Sequence, residues 1–522
     1  MSKPISSVLA IVSLAIFLSA CGTNPVTHKR ELQLVSESEE ISIGQKNYVP
    51  ARQQQGGDYI IDAELTTYVQ GVGNKLAAVA DRKLPYEFVV LNNSVPNAWA
   101  MPGGKIALNR GLLYELDSEA ELAAVLSHEI VHAAARHGAQ SMETGMLLQG
   151  AVMATGIAAQ DNRYADLIVG GAQLSTQLIS KKYSRDDESE ADHYGMIYMK
   201  RAGYDPRAAV TLQETFVRLS SDRNSSFIDG LFASHPPSQA RVAANKATLA
   251  ELGEGGVLGK EIYAQKIGKL KSTRAAYDAY DEAEQALAKG DAGKAALLAK
   301  QAIAIEPREA RFQELLGDIA VKQNNKDEAL GYYRRAIDMQ PDYFRPYVQT
   351  GVVLNSLGRS AEAEPYLKRS NELLPTSTSY YVLGQIAEGR GDFNAAMQQY
   401  QVAAGSDSDD GKSAKARYQR LEIAGNPAKF LRASAQADNM GYIYAVVYNP
   451  TSVTVANVYV RVVHFSAETR QPDNQSDPLL VAAKLSSGQR AQLLLPGVRA
   501  YKQADLDLYR VIVERAELAG RR

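Results

Sequence analysis

Residues Leu126 to His137 read LSHEIVHAAARH, and the order H-E-x-x-H in His128, Glu129 and His132 decides how the rest of the chain is read. Ala, Val and Leu surround these three residues, with no Gly or Pro to interrupt them, so the stretch predicts a helix. Positions four apart share a helical face, so the two imidazoles can point at a single metal ion. Glu129 follows the first histidine and can reach the open side of that ion as a general base. The pattern is a zinc-hydrolase signature with one Zn2+ per chain, still one protein ligand short.

A carboxylate is a common third ligand, and carboxylates cluster in Tyr183 to Gly195, YSRDDESEADHYG. Glu188 and Asp192 are four apart and share a helical face. One can bind the metal while the other accepts the free ring N–H of a ligand histidine, which fixes its tautomer. The residues alone leave Glu188 and Glu190 competing for the ligand position. HExxH followed by S-R-x-x-E-x-x-A-D-x-x-G resembles the zinc peptidases related to HtpX and the CAAX prenyl endopeptidases. That resemblance implies Glu188 as the third ligand and Asp192 as the residue that supports a ligand histidine.

A third stretch, Ser234 to Arg241, reads SHPPSQAR. In soluble relatives a His-Pro followed by an Arg lies near the metal. The resemblance therefore implies that His235 occupies the open metal position in a resting state or stabilises the oxyanion; the plain alternative is a solvated loop histidine. Arg241 is expected to hold this loop by an ion pair. His137 lies five residues past His132, off the ligand face, which implies a supporting role. His193 reads as a packing or surface residue.

Before the helix, Asn97 to Leu108 place Pro102-Gly103-Gly104 between two short apolar segments, a hairpin signal. Asn97, Ala98, Trp99 and Ala100 are the candidate strand for holding substrate backbone by β-augmentation. A hairpin that only packs the core fits the same residues, and Trp99 reads as core. After the helix, Gly145–Ala159 and Leu167–Ile179 are apolar but too short to span a bilayer, and read as buried or lid-forming helices.

The chain has 522 residues, 45% hydrophobic and 22% charged, with a net charge of -2. Near-neutral charge gives no reason to expect a nucleic-acid partner. The single cysteine, Cys21, excludes disulfides within the chain. Lys3, the apolar run Val8–Leu18 and then Leu18-Ser19-Ala20-Cys21 make a secretory signal over 1–20. The cysteine after small residues resembles a bacterial lipobox, implying lipidation at Cys21. Gly22 in place of an Asp implies the outer membrane, facing the periplasm. Residues 21–58 begin polar with Gly22, Thr23, Asn24 and Pro25 and are expected to act as a flexible tether, within which Glu31–Tyr48 reads as a helix.

The peptidase region is expected to span 59–255, with a Gly-rich linker over 256–275. Beyond it Pro307, Pro341 and Pro375 are spaced 34 residues apart, as are Ala295, Ala329 and Ala363. This is the tetratricopeptide period of stacked helical hairpins, here over 276–410. Their concave face is expected to bind peptides or a partner protein, with Tyr277, Tyr280, Tyr333 and Tyr343 among its aromatic candidates. From about 435 to 520, β-branched and aromatic runs separated by turn residues predict a small β-sandwich.

The fold class is thus multidomain α+β: a mainly helical zinc-peptidase domain with a small β-hairpin or sheet, a tetratricopeptide α-solenoid, and a β-sandwich-like C-terminal domain. Peptidase and repeats behind a lipoprotein signal resemble the outer-membrane assembly proteases of the BepA type. That resemblance covers about 22–405 and implies degradation of misassembled envelope proteins together with help in their assembly. A different class, a chaperone or scaffold factor with a silenced peptidase, fits the repeats and His235.

Overall fold

The computed structural model describes residues 21–154, 182–220, 231–451 and 453–519. The expected signal sequence 1–20, the segment Leu167–Ile179 and the end of Gly145–Ala159 lie outside these residues, as does the Cys21 side chain. Among the described residues no helix is long and apolar enough to cross a membrane. The chain divides into two units, Met1–Pro346 and Tyr347–Arg522.

The first unit opens with a short antiparallel pair, β1 (Cys21–Thr23) and β2 (Arg30–Leu32). Helix α1 (Glu37–Gln54) follows, started by a capping box between Ser36 and Glu39. Helix α2 (Ala63–Ala77) leads to a sheet of order β3-β5-β4, with β3 at Glu87–Leu91, β4 at Ala98–Met101 and β5 at Lys105–Asn109. β4 and β5 form the hairpin predicted from Pro-Gly-Gly, and β3 adds in parallel. Helix α3 (Glu119–Ala134) carries HExxH. Ser118 caps it by accepting from the Glu121 amide, and Glu119 and Glu121 sit favourably at its positive end.

Helices α4 (His137–Ala154), α5 (Arg185–Arg201) and α6 (Arg207–Ser220) pack on α3, and α7 (Gln239–Leu252) packs on α5 and α6. Gly195 lets α5 approach it: a Cβ there would sit 3.2 Å from Ser127 Oγ and 3.3 Å from the His128 amide. Any larger side chain would push the two helices apart.

The expected tether is not a free spacer. Val26 is 1% exposed and belongs to the main core. Asn24 Nδ2 donates to the Ala135 carbonyl at 2.8 Å. Arg136 adopts φ 63° in the turn between α3 and α4 and is buried. It binds Glu40 at 2.6 Å, Glu31 at 3.1 Å, Glu143 at 3.1 Å and the Val35 carbonyl at 2.6 Å. The polar residues that read as a linker are spent on tertiary hydrogen bonds roughly a hundred positions away. The helix expected from Glu31 begins only at Glu37, because Arg30–Leu32 pair with β1.

The repeats begin in this unit with α8 (Arg274–Ala288), α9 (Ala292–Ile305), α10 (Ala310–Lys322) and α11 (Lys326–Met339). Gly317 and Gly351 also lie 34 residues apart, and the glycine has a steric cause, since a Cβ on Gly317 would lie 2.4 Å from the Tyr333 ring. Tyr277, Tyr280, Tyr333 and Tyr343 are buried, so these rings pack the repeats and do not offer open aromatic surface.

In the second unit the repeats are α12 (Arg345–Ser356), α13 (Ser360–Leu373), α14 (Ser377–Gly389) and α15 (Phe393–Ala403), followed by α16 (Asp409–Gly425), which sequence did not assign. Gly351 meets Leu367, and Gly384 meets Tyr400, in the same close approach. The C-terminal sheets have orders β11-β7-β6 and β10-β8-β12, with β9 (Pro472–Gln475) on β8. Their strands are β6 (Arg432–Ala437), β7 (Tyr442–Tyr448), β8 (Val455–Phe465), β10 (Leu479–Leu485), β11 (Arg490–Arg499) and β12 (Tyr509–Leu518). Ile443, Val447, Val458, Val460 and Val513 fill a core of their own.

Candidate active site

The geometry starts from α3, whose uninterrupted helix puts His128 and His132 on one face, with their Nε2 atoms 3.0 Å apart. Helix α5 supplies the carboxylate. Ser184 of the SRxxE stretch is its N-cap, and Asp187 returns a hydrogen bond to complete a capping box, so Glu188 enters on the first turn with a fixed direction. Glu188 Oε2 lies 3.5 Å from His128 Nε2, and its Oε1 lies 3.4 Å from His132 Nε2. His235 adds a fourth donor, its Nδ1 2.8 Å from Glu188 Oε1 and 3.3 Å from His128 Nε2. The donor atoms of His128, His132, Glu188 and His235 all lie within 4.8 Å of one another.

Around them sits a layer of orienting groups. His128 Nδ1 is 3.0 Å from Asp192 Oδ1. Arg241, placed at the start of α7 by the Ser238 cap, grips Asp192 with Nε and Nη2, each at 2.7 Å. Its Nη1 also reaches Glu188 Oε2 at 2.8 Å. Arg241 therefore ties two carboxylates together, more than the loop-holding ion pair expected of it. Burial works against the charge of Asp192, but the Arg241 guanidinium together with His128 more than offsets it and holds the carboxyl below its usual range.

His132 Nδ1 lies 2.8 Å from His137 Nδ1, so His137 does contact a metal-facing histidine although it is off the ligand face. Glu190 stands behind it, 3.5 Å from His137 Nε2 and 2.6 Å from Lys29 Nζ. Tyr183 stacks on the His132 ring with centroids 3.9 Å apart. Sequence reading gave no role to Tyr183 or to the Glu190–Lys29 pair. Only the spatial neighbourhood reveals them. His193 bonds Thr248 Oγ1 at 3.0 Å, away from the cluster.

Glu129 is 1% exposed, and its Oε1 lies 3.6 Å from His235 Nε2. Its Oε2 has no hydrogen-bond partner among the described residues. Burial pushes the carboxyl pKa up, against the opposing pull of His235 and His128.

Strand β4 is the sheet edge beside α3. Ala98 and Ala100 pack into the main core, whereas Trp99 and Met101 lie in a second cluster with Tyr48, whose ring meets Trp99 edge-on at 5.9 Å. The tryptophan is a core residue. Asn97 accepts from the Asn109 amide through its carbonyl, which sets the register so that the main-chain groups of Ala98 and Ala100 point away from β5. The carbonyl of Pro96, just before the strand, already takes the Leu231 amide at 2.9 Å.

Comparison with known proteins gives the same chemistry. Residues 63–249 match the model of peptidase family M48, and residues 280–344 match a tetratricopeptide repeat model. The chain is 27% identical over 370 residues to the beta-barrel assembly-enhancing protease of Escherichia coli (strain K12), covering 64% of this chain and 74% of that one. It is 32% identical over 234 residues to the mitochondrial metalloendopeptidase OMA1 of Schizosaccharomyces pombe, covering 44% and 66%. Metalloprotease YcaL of Escherichia coli (strain K12) is 33% identical over 181 residues, covering 32% and 66%. The chain is a metalloendopeptidase with a peptidase family M48 domain at 63–249, followed by tetratricopeptide repeats.

Proposed function

We propose that the chain is a zinc-dependent endopeptidase of the periplasm, anchored to the outer membrane through lipid on Cys21. In this reading it degrades misassembled envelope proteins and assists outer-membrane protein assembly. The observation that carries the chemistry is the convergence of His128, His132, Glu188 and His235 within 4.8 Å. Two imidazoles and a carboxylate are a common donor set for catalytic zinc, and Arg241 with Asp192 and His137 behind them fits ligands that must keep their orientation. The biological role draws on the likeness to the beta-barrel assembly-enhancing protease at 27% identity.

In this assignment His128, His132 and Glu188 would hold the ion. Zinc bound there would polarise the scissile carbonyl and acidify a water molecule. Glu129 is the residue placed to act as general base, its Oε2 having no hydrogen-bond partner among the described residues, and would then pass a proton to the leaving amine; a carboxyl pKa raised by burial suits both roles. Asp192 and His137 fix the ring orientations of His128 and His132. The edge of β4 that faces away from β5 would pair with substrate backbone through the main-chain groups of Ala98 and Ala100. The repeats offer a surface for a protein partner.

One observation favours a second reading, an assembly or scaffold factor whose peptidase is normally silent. His235 stands where a fourth donor would stand, 3.3 Å from His128 Nε2, and would keep substrate out in a resting state. The test compares wild type, Glu129→Gln and His235→Ala for cleavage of an unfolded protein and for rescue of a deletion strain. Peptidase function predicts that Glu129→Gln loses both. Full rescue by Glu129→Gln, with no cleavage by wild type or His235→Ala, would leave only the second reading.

A further inference from the structure

Two helices beside the metal-binding cluster carry a buried amide where an apolar residue is expected. On α6 the inward face runs Ala209, Leu212, Phe216, and Gln213 sits within it at 7% exposure. On α7 Asn245 follows Val242 on the buried face and is 1% exposed. Neither Gln213 Oε1 nor Asn245 Nδ2 has a hydrogen-bond partner among the described residues. Burying an amide atom without a partner is unfavourable, so two such residues on neighbouring helices are unusual.

Gln213 and Asn245 both line one cavity of about 40 Å³, which His128, Glu129 and His235 line as well. Val125, Met196, Met199, Leu212 and Phe216 form its apolar wall. Val125 lies one helical turn before His128, which places the cavity directly beside the donors. At roughly 10–15 Å³ for each water-sized occupant, the volume admits about three to four heavy atoms.

We propose that this cavity receives the side chain of a substrate residue flanking the scissile bond, and that Gln213 and Asn245 select a short uncharged side chain bearing both a donor and an acceptor. Asparagine fits first and threonine second. Gln213 Oε1 accepts the donor of such a side chain, and Asn245 Nδ2 donates to its acceptor. Asp192 and Arg241, which also line the cavity, are already paired with each other, so a charged side chain would lie against Val125, Leu212 and Phe216 without a partner of its own, which is far more costly. The volume excludes long or aromatic ones. A site built to hydrogen-bond its ligand rejects an analogue that lacks those groups more strongly than an apolar pocket distinguishes methylenes. The proposal rests on the peptidase reading and adds its sequence preference.

The test uses the metal-loaded full chain and two pairs of peptides, Asn against Leu and Thr against Val at one position, with the cut site read by mass spectrometry. Each pair has equal numbers of side-chain heavy atoms. Wild type is expected to favour Asn over Leu in kcat/KM, and Gln213→Leu with Asn245→Leu to shift that ratio by roughly 10–100-fold towards Leu. The ratio cancels any general loss of activity. Gln213→Met alone is expected to shift it part of the way and serves if the double variant misfolds. A ratio unchanged within twofold, or a wild-type preference for Leu, overturns the proposal while leaving the peptidase intact. No cleavage of any peptide, by wild type or by His235→Ala, overturns the peptidase reading itself.

Discussion

Replacing Asp192 by Asn removes one charge and almost no volume, and its effect follows from what surrounds the carboxylate. Asp192 meets His128 Nδ1 at 3.0 Å and Arg241 Nη2 and Nε at 2.7 Å. With His128 giving Nε2 to a metal, all three neighbours are donors. A carboxylate offers only acceptors to them, but an amide must turn its NH2 towards either His128 or Arg241. Breaking a buried pair by removing one partner costs about 3–5 kcal/mol. Arg241 keeps Glu188 at 2.8 Å, so the expected loss lies at or below the lower end, about 2–3 kcal/mol. Disturbing a group that orients a ligand histidine weakens metal binding about 10–100-fold, which is about 1.4–2.7 kcal/mol. The assay is zinc competition against a chromogenic chelator, with a urea midpoint measured on the same metal-free protein. Zinc affinity within threefold of wild type would refute the orienting role. Normal affinity with a lowered midpoint would show that Asp192 only braces α5 against α7.

Other expectations follow from the same contacts. Glu188→Gln should lose bound zinc whereas Glu190→Gln retains it, measured by metal analysis of purified protein; loss only in the Glu190 variant would reverse the assignment. Arg136→Ala should destabilise the N-terminal arm by about 3–5 kcal/mol, read as hydrogen exchange over residues 24–40. Arg136→Gly should be milder by about 1 kcal/mol because its backbone is left-handed; an Ala variant without faster exchange would contradict the strap. Gly195→Leu should separate α5 from α3 and lower zinc affinity and thermal midpoint together, since even a Cβ meets the His128 amide at 3.3 Å.

Some of this was legible in the residues and some was not. HExxH declares itself because a helix converts spacing four into proximity without help from the rest of the fold. The repeats declare themselves because Gly317, Gly351 and Gly384 each face a bulky side chain in the partner helix, and that steric need recurs in three successive hairpins. Strand β6 and helix α16 escaped notice: Arg432–Ala437 is mostly Ala and Ser with little β-propensity, and α16 carries no copy of the repeat. Tyr183, Gln213 and Asn245 were invisible for a different reason. Each acts only by what lies across from it in space, and no spacing rule relates them to His128. The arm after Cys21 misled for a related cause, since Gly, Thr, Asn and Pro are linker residues until a buried carbonyl accepts from one of them.

The docking of that arm has a consequence for reach. Asn24 is fastened to the Ala135 carbonyl at the end of α3, and three peptide units separate it from Cys21. At about 3.3–3.6 Å per residue, position 21 stays within roughly 11 Å of Asn24 however it moves. An acyl group on Cys21 would leave the catalytic helix almost no leash. The enzyme would then work as a fixture at the headgroup layer, cutting what protrudes from the bilayer surface and leaving alone what diffuses past at a distance.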